Sequence, residues 1–330
     1  MRLLSKPAFI AVCALAAILR LGAQTEAPKK DALKKDDAPK KDEGTAVFHS
    51  DTRLVALHAT VVDKNGHLVT NLPQQAFKVF ENNVEQPIKI FRREDVPVSL
   101  GLIVDNSGSM RNKRLKVEAA ALTVVKASNP EDEVFIVNFN DEAFLDQDFT
   151  NKTKDLEQGL AKIDSRGGTA MRDALRMSID HVKDKGKRDK KVLLVVTDGN
   201  DNNSSGSLEN LIKAAQQSEI LIYTIGLLSE EEKRDAKRAK RALNAIAEAT
   251  GGQSYFPEEL ADVDKIALQV ARDIRNQYII AYTPSNTALD GSFRQVKVTV
   301  NGPNRPVVRT RSGYYATPAG ASAPNRPSGD

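Results

Sequence analysis

Asp105, Ser107 and Ser109 stand on alternate residues in the run Asp-Asn-Ser-Gly-Ser-Met. Thr169 follows Arg166-Gly167-Gly168, and Asp198 lies between Thr197 and Gly199. All five side chains offer hard oxygen donors. Two hydroxyls on alternate residues of one tight loop can point the same way, with Asp105 anchoring its start. Gly108 and the Gly167-Gly168 pair let backbone come close without a Cβ. Such a set suits Mg²⁺ or Mn²⁺, which prefer six oxygens near octahedral geometry. Mg²⁺ is the expected cofactor, with Mn²⁺ or Ca²⁺ as alternatives. Five ligands with at most two carboxylates leave a divalent ion incompletely neutralised and one position open to water. An Asp or Glu from a partner protein can replace that water.

Other chemistries fit less well. Asp198, Asn200, Asn202 and Glu209 match positions of a Ca²⁺-binding loop, but Asn203 stands where its sharp turn needs Gly, and helix signals begin at Ser207. Neither serine sits in G-x-S-x-G. Neither HExxH nor a GxxxxGK[ST] phosphate loop occurs. His49, His58 and His67 read as surface strand or turn residues, and His181 as a helix residue. Lys233 to Arg241 is a basic stretch, read as a solvated helix face in preference to a docking patch.

Both aspartates of the set follow buried-type strands, VSLGLIV (98–104) and VLLVVT (192–197). EVFIVNF (133–139) and Ile220 to Ile225 are two more strands. Helices alternate with them. Leu115, Ala119, Leu122 and Val125 mark the first, and Met171, Ala174, Leu175, Ser178, Ile179 and Val182 fall on one face of the next. Leu208 to Gln217 and 230–249 are helices, the latter capped at Gly251-Gly252. Val263, Ile266, Ala267, Val270 and Ile274 mark the last. Apolar strands between helices predict an α/β fold with a doubly wound, mostly parallel sheet covered on both faces. In such sheets ligands bind beyond the carboxyl ends of strands.

The flanks read as β. LVALHATVV runs up to an Asn65-Gly66 hairpin signal, and FKVFE meets Asn82-Asn83 before an edge-type strand with Pro87. QYIIAYT, FRQVKVTV and VVRTR follow residue 276. The two flanks are expected to join as one small β-rich accessory unit. The resulting divisions are an export signal (1–23), a charged low-complexity linker (24–46), an N-terminal β segment (47–95), the α/β domain (96–276), a C-terminal β segment (277–316) and a disordered tail (317–330).

Arg2 and Lys6 precede an apolar run from Ala8 to Leu19, too short to span a bilayer comfortably, and Gly22-Ala23 offers a cleavage site. The expected location is therefore periplasmic or secreted, with no membrane span after cleavage. Loss of Arg2, Lys6 and Arg20 takes the net charge from +4 to +1, which removes the electrostatic case for nucleic acid. The single cysteine, Cys13, leaves too, so disulfide and Cys–metal chemistry are excluded from the processed chain. Trp is absent and aromatics are 5%, which argues against an aromatic-lined carbohydrate or base-stacking site.

The order Asp105-x-Ser107-x-Ser109, distant Thr169, distant Asp198 closely resembles the metal-ion-dependent adhesion site of von Willebrand factor type A domains and integrin inserted domains. DEVFIVNFND, GGTAMRDAL and VVTDGNDN look like that family's intervening elements, over about residues 96–276. QYIIAYTP, DGSFRQVKV and RSGYYA are similar to a bacterial subgroup of exported proteins first noted in acidobacteria. The resemblance implies that Ser107, Ser109 and Thr169 ligate the ion through hydroxyls, and that Asp105 and Asp198 act directly or through water. Asp173 supports the loop or is an ordinary helix-surface carboxylate. The implied activity is metal-dependent protein binding without catalysis. The rivals are a structural part of an envelope assembly with a stabilising or vestigial metal site, and a metal-dependent hydrolase, for which no general base is identifiable.

Overall fold

The computed structural model describes residues 54–318 apart from 163–164, 200 and 229–232. The expected export signal, linker and most of the tail lie outside the described residues.

A six-stranded sheet forms the centre. Its strands are β5 (Val98–Asp105), β6 (Glu133–Phe139), β7 (Ala143–Thr150), β8 (Lys190–Thr197), β9 (Leu221–Gly226) and β10 (Ser254–Tyr255). Their order is β10-β9-β8-β5-β6-β7, parallel except for β7, which runs antiparallel along β6. Every residue of β5 is buried, which requires cover on both faces.

The helices supply that cover. On one face lie α1 (Arg114–Lys126), α2 (Thr153–Leu160) and α6 (Val263–Arg275). On the other lie α3 (Met171–Lys185), α4 (Leu208–Gln217) and α5 (Lys233–Thr250). The α3 stripe is buried as its spacing requires, at Met171, Ala174, Leu175, Ser178, Ile179 and Val182. Each fully buried large aliphatic among them contributes roughly 1.5–3 kcal/mol.

The α1 stripe departs from expectation. Val117, Ala120, Ala121, Val124 and Val125 face the core, while Leu115 is 80% exposed. Apolar residues occur nearly all round this helix, so the sequence offers two stripes. The buried one keeps an unbroken i, i+3, i+4, i+7, i+8 spacing, which packs continuously against β5 and β8. The strand β7 and helix α2 had no counterpart in the sequence reading. β7 is half-exposed at the sheet edge and lacks a strong apolar alternation.

The flanking segments form two antiparallel four-stranded sheets. β1 (Val55–Val62), β4 (Ile88–Arg93), β11 (Tyr278–Tyr282) and β13 (Val307–Arg309) make one, in the order β13-β1-β11-β4. β2 (Phe77–Glu81), β3 (Val84–Gln86), β12 (Phe293–Val300) and β14 (Gly313–Tyr315) make the other, in the order β14-β12-β2-β3. They share one core that includes Leu57, Ala59, Val79, Tyr278, Ile280 and Val296. Asn82 and Asn83 both take left-handed φ, 47° and 67°, as a two-residue β2–β3 turn demands. Pro87 lies between β3 and β4, each an edge strand of its sheet, where the missing N–H costs nothing. The Asn65-Gly66 turn forms, but beyond it only the Val62–Leu68 bridge pairs, so no full hairpin follows.

The other face of β1 turns toward the α/β unit. Gln277 Nε2 donates to Thr60 Oγ1 at 3.0 Å and to Tyr223 OH at 3.3 Å, tying β1 to β9. Arg309 bridges to Asp273 on α6 at 3.0 Å.

Candidate metal centre

β5 and β8 are neighbours and parallel, so their carboxyl ends bring Asp105 and Asp198 to one rim. The β5 end turns tightly: Asp105 Oδ1 accepts the Ser107 N–H at 2.8 Å. This Asx-type turn sets the direction of the following residues. Ser107 Oγ lies 3.1 Å from Ser109 Oγ, and Ser109 Oγ donates to Asp198 Oδ1 at 2.8 Å. Asp105, Ser107, Thr169 and Asp198 are buried, and Ser109 is exposed, so the cluster has a buried floor and an open lip.

The Thr169 loop docks on that rim through backbone. Gly108 N–H donates to Gly167 O at 3.2 Å, and Arg166 N–H to Asn106 O at 2.9 Å. Thr169 N–H donates to Asn202 Oδ1 at 2.9 Å, while its carbonyl accepts from Asn202 and Asn203. Asp141 was missed by the sequence reading. Its Oδ1 accepts the Gly168 N–H at 2.7 Å. Gly167 has φ +75°, a left-handed conformation that favours glycine, and a Cβ there would lie 2.1 Å from Asp141 Oδ2 and displace that side chain.

Asp173 is a loop support. It accepts from Ser205 N–H at 2.8 Å and Gly206 N–H at 3.1 Å. Asp201 accepts from Arg172 N–H at 2.7 Å and pairs with its guanidinium at 3.1 Å. The segment after Asp198 is thus pinned to the start of α3. Helix α4 begins at Leu208 with Ser207 as its cap, so the spacing of a Ca²⁺ loop is not realised.

Two further partners shape the charge. Thr197 Oγ1 donates to Asp105 Oδ2 at 2.5 Å, so both oxygens of Asp105 are occupied by hydrogen bonds. Burial pushes the Asp105 carboxyl up to about 6, with the hydrogen bonds from Ser107 and Thr197 opposing and nearby Asp198 adding to the rise. Lys113 Nζ meets Asp198 Oδ2 at 2.5 Å and Leu227 O at 3.4 Å. Lys113 was also missed, although it falls four residues after Ser109, about one helical turn on.

Three of the expected donors, Ser107 Oγ, Ser109 Oγ and Asp198 Oδ1, lie together at the rim. An octahedron with metal–oxygen distances of about 2.1 Å has edges of about 3 Å. The Ser107–Ser109 and Ser109–Asp198 oxygen separations of 3.1 and 2.8 Å match such edges. Among the described residues no group of three or more His, Cys, Asp or Glu could hold a metal. A cation at this rim would therefore depend on hydroxyl oxygens.

His58 corrects the sequence reading. It is half-buried on β1, and burial together with Lys190, Arg311 and Arg92 pushes its imidazole down to about 3. The surrounding strands and helices enclose it, which no local pattern in β1 announces.

Residues 100–200 match the family model described as von Willebrand factor type A domain. No curated protein sequence matches the chain. Among solved structures, proximal thread matrix protein 1 from the mussel byssus is similar at 17% identity, with a TM-score of 0.46, over 58% of this chain and 49% of that one. The chain thus spans about half of that protein's length. A second structure of it, with a zinc-occupied MIDAS motif, gives 17% identity and a TM-score of 0.48 over 59% and 50% of the chains. A von Willebrand factor type A protein from Catenulispora acidiphila gives 13% identity and a TM-score of 0.48 over 81% of this chain and 75% of that one.

Proposed function

We propose that the chain, whose residues 100–200 match the family model described as von Willebrand factor type A domain, is an exported module that binds another protein through a divalent cation. Ser107, Ser109 and Thr169 would hold the ion through their hydroxyls, and Asp198 and Asp105 directly or through water. Mg²⁺ is the expected ion, with Mn²⁺ or Ca²⁺ as alternatives. Bound there, the ion supplies a centre of incompletely neutralised positive charge. An Asp or Glu of the partner is the group that would complete its coordination.

The observation that carries this reading is that the hydroxyls of Ser107 and Ser109 and a carboxylate oxygen of Asp198, from two separate loops, meet at the carboxyl ends of β5 and β8. The rim adds support. A cavity of about 540 Å³ beside Gly199 and Asp201 is lined by Arg172, Arg238 and Arg241. Asp201, which pairs with Arg172, and Glu209 line it too, so the cations exceed the carboxylates by one. Among the described residues no helix is long and apolar enough to cross a membrane.

The test is capture of partners from an envelope extract in Mg²⁺ and in chelator. Retention that needs both Mg²⁺ and Asp198 supports the reading. Equal retention in chelator and by Asp198→Ala overturns it.

A second reading rests on Lys113. Its ammonium already faces Asp198, so the site could be neutralised from within and hold the fold without a metal. An unaltered melting temperature on adding Mg²⁺, Mn²⁺ or Ca²⁺ would favour it.

A further inference from the structure

The residues of the acidic rim are fixed in two different ways. Ser107, Ser109 and Asp198 hold one another by their side chains: the two hydroxyls lie 3.1 Å apart, and Ser109 donates to Asp198 at 2.8 Å. Thr169 is gripped by its backbone. Its N–H donates to Asn202 Oδ1 at 2.9 Å, and its carbonyl accepts the N–H groups of Asn202 and Asn203, both at 3.1 Å. Asn202 therefore touches the peptide groups on both sides of Thr169, and it does so from the loop that follows Asp198.

The chain before Thr169 gives it little support of its own. Gly167 and Gly168 precede it, and glycine loses more conformational freedom on ordering than any other residue. Asp141 holds the turn one residue earlier, at the Gly168 N–H. The peptide after Thr169 has several holds, because Asn203 also donates to its carbonyl and the Ala170 N–H donates to Asn140 O at 2.7 Å. The Thr169 N–H, by contrast, rests on the Asn202 amide oxygen. Fixing the groups on both sides of one residue sets its φ and ψ together, and with them the direction of its Cα–Cβ bond. Threonine is branched at Cβ, so a fixed backbone leaves its hydroxyl few directions. Thr169 is 5% exposed, which narrows them further.

Anchoring the loop does not need this contact. Asp201 already pairs with Arg172, and Asp173 accepts the N–H groups of Ser205 and Gly206. We propose that Asn202 is a positioning residue of the rim: its amide oxygen fixes the Thr169 peptide and so directs the Thr169 hydroxyl, while tying the Thr169 loop to the loop of Asp198. The inference rests on the reading of the rim as a divalent-cation site with Thr169 among its ligands.

The experiment compares the full chain with Asn202→Ala, Thr169→Ala and the double variant. Asn202→Ala removes the amide oxygen and keeps the backbone N–H, and Asn202 is exposed, so the core is untouched. Mn²⁺ binding is read by electron paramagnetic resonance, and amide hydrogen exchange by NMR in chelator. Asn202→Ala should weaken Mn²⁺ binding about tenfold. In the Thr169→Ala background the same change should alter it less than about twofold, because no hydroxyl remains to be directed. In the metal-free protein, Asn202→Ala should quicken exchange of the Thr169 N–H about tenfold, and Asn202→Asp, which keeps an acceptor oxygen, should restore slow exchange. If Thr169→Ala does not fold, the exchange and rescue measurements decide. Absence of Mn²⁺ binding by the wild-type chain would overturn the cation reading and the inference together. Wild-type binding with unchanged affinity in Asn202→Ala, an equal loss in the Thr169→Ala background, or unaltered Thr169 exchange would overturn the inference alone.

Discussion

The two ends of β5 and β8 carry opposite chemistry on the same pair of strands. At the carboxyl ends stand Asp105, Asp198 and a row of hydroxyls, with one lysine set against them. At the amino ends Lys190 and its neighbours face His58 and Arg311 across a cavity. The ends are about 25 Å apart, at roughly 3.3 Å per residue. Both keep polar groups at the margin of an apolar sheet, but by different means. The acidic rim is built by loops of one domain that dock on one another by backbone and side-chain hydrogen bonds. The basic end is built by two layers meeting, so its residues come from distant parts of the chain. The first arrangement can survive changes in the flanking sheets, while the second cannot.

The largest expected effect separates the ends by ligand. Asp198→Ala should reduce divalent-cation affinity on the order of 100-fold or more, read by calorimetry. The His58 resonance should stay in place. Movement of both would break the claim that the ends act independently.

Next is the seam itself. Gly251 has φ +86°, and a Cβ there would lie 2.5 Å from the Arg311 backbone nitrogen. Gly251→Val should destabilise the fold by about 2–4 kcal/mol in urea denaturation, through strain at positive φ and overpacking. Cation affinity of the remaining folded protein should be unchanged.

Protonation distinguishes the ends more gently. The His58 imidazole is held at about 3, below its ordinary 6.5. Below pH 6.5 the unfolded chain takes up a proton that the folded chain refuses, so stability falls as pH drops toward 3. At pH 5 this loss amounts to about 2 kcal/mol. His58→Asn should remove that part of the acid dependence, measured by urea midpoints between pH 7 and 4. An unchanged acid slope would show that His58 is open to solvent.

The smallest effect concerns Lys113. Its ammonium competes for Asp198 with any added cation. Lys113→Met should raise Mn²⁺ affinity about tenfold, equivalent to about 1.4 kcal/mol. It should also lower the melting temperature of the metal-free protein, because Asp198 loses its partner. Unchanged affinity would place Lys113 outside the competition.

These differences also explain what could be read in advance. The α3 stripe was legible because its other face is charged, at Arg172, Asp173, Arg176, Asp180, Lys183 and Asp184, whereas α1 has apolar residues on nearly every side. The meeting of Asp105 and Asp198 at one rim was legible because each ends or follows a buried apolar strand. Asp141 and Lys113 act on that rim from outside those strands, through contacts made only after folding. The basic end was not legible at all. His58 reads as a residue of a half-exposed strand until folding buries it and brings up Lys190, Arg311 and Arg92, the second of them 253 positions later.

The central claim is that Ser107, Ser109, Thr169, Asp105 and Asp198 hold a divalent cation. Its most direct test is Mn²⁺ titration of the wild-type chain and of Ser107→Ala/Ser109→Ala, counting free Mn²⁺ by electron paramagnetic resonance and checking the fold by circular dichroism. The account predicts one Mn²⁺ per wild-type chain, displaced by Mg²⁺, and affinity on the order of 100-fold weaker in a folded variant. No binding by the wild-type chain, or equal binding by the variant, would contradict it.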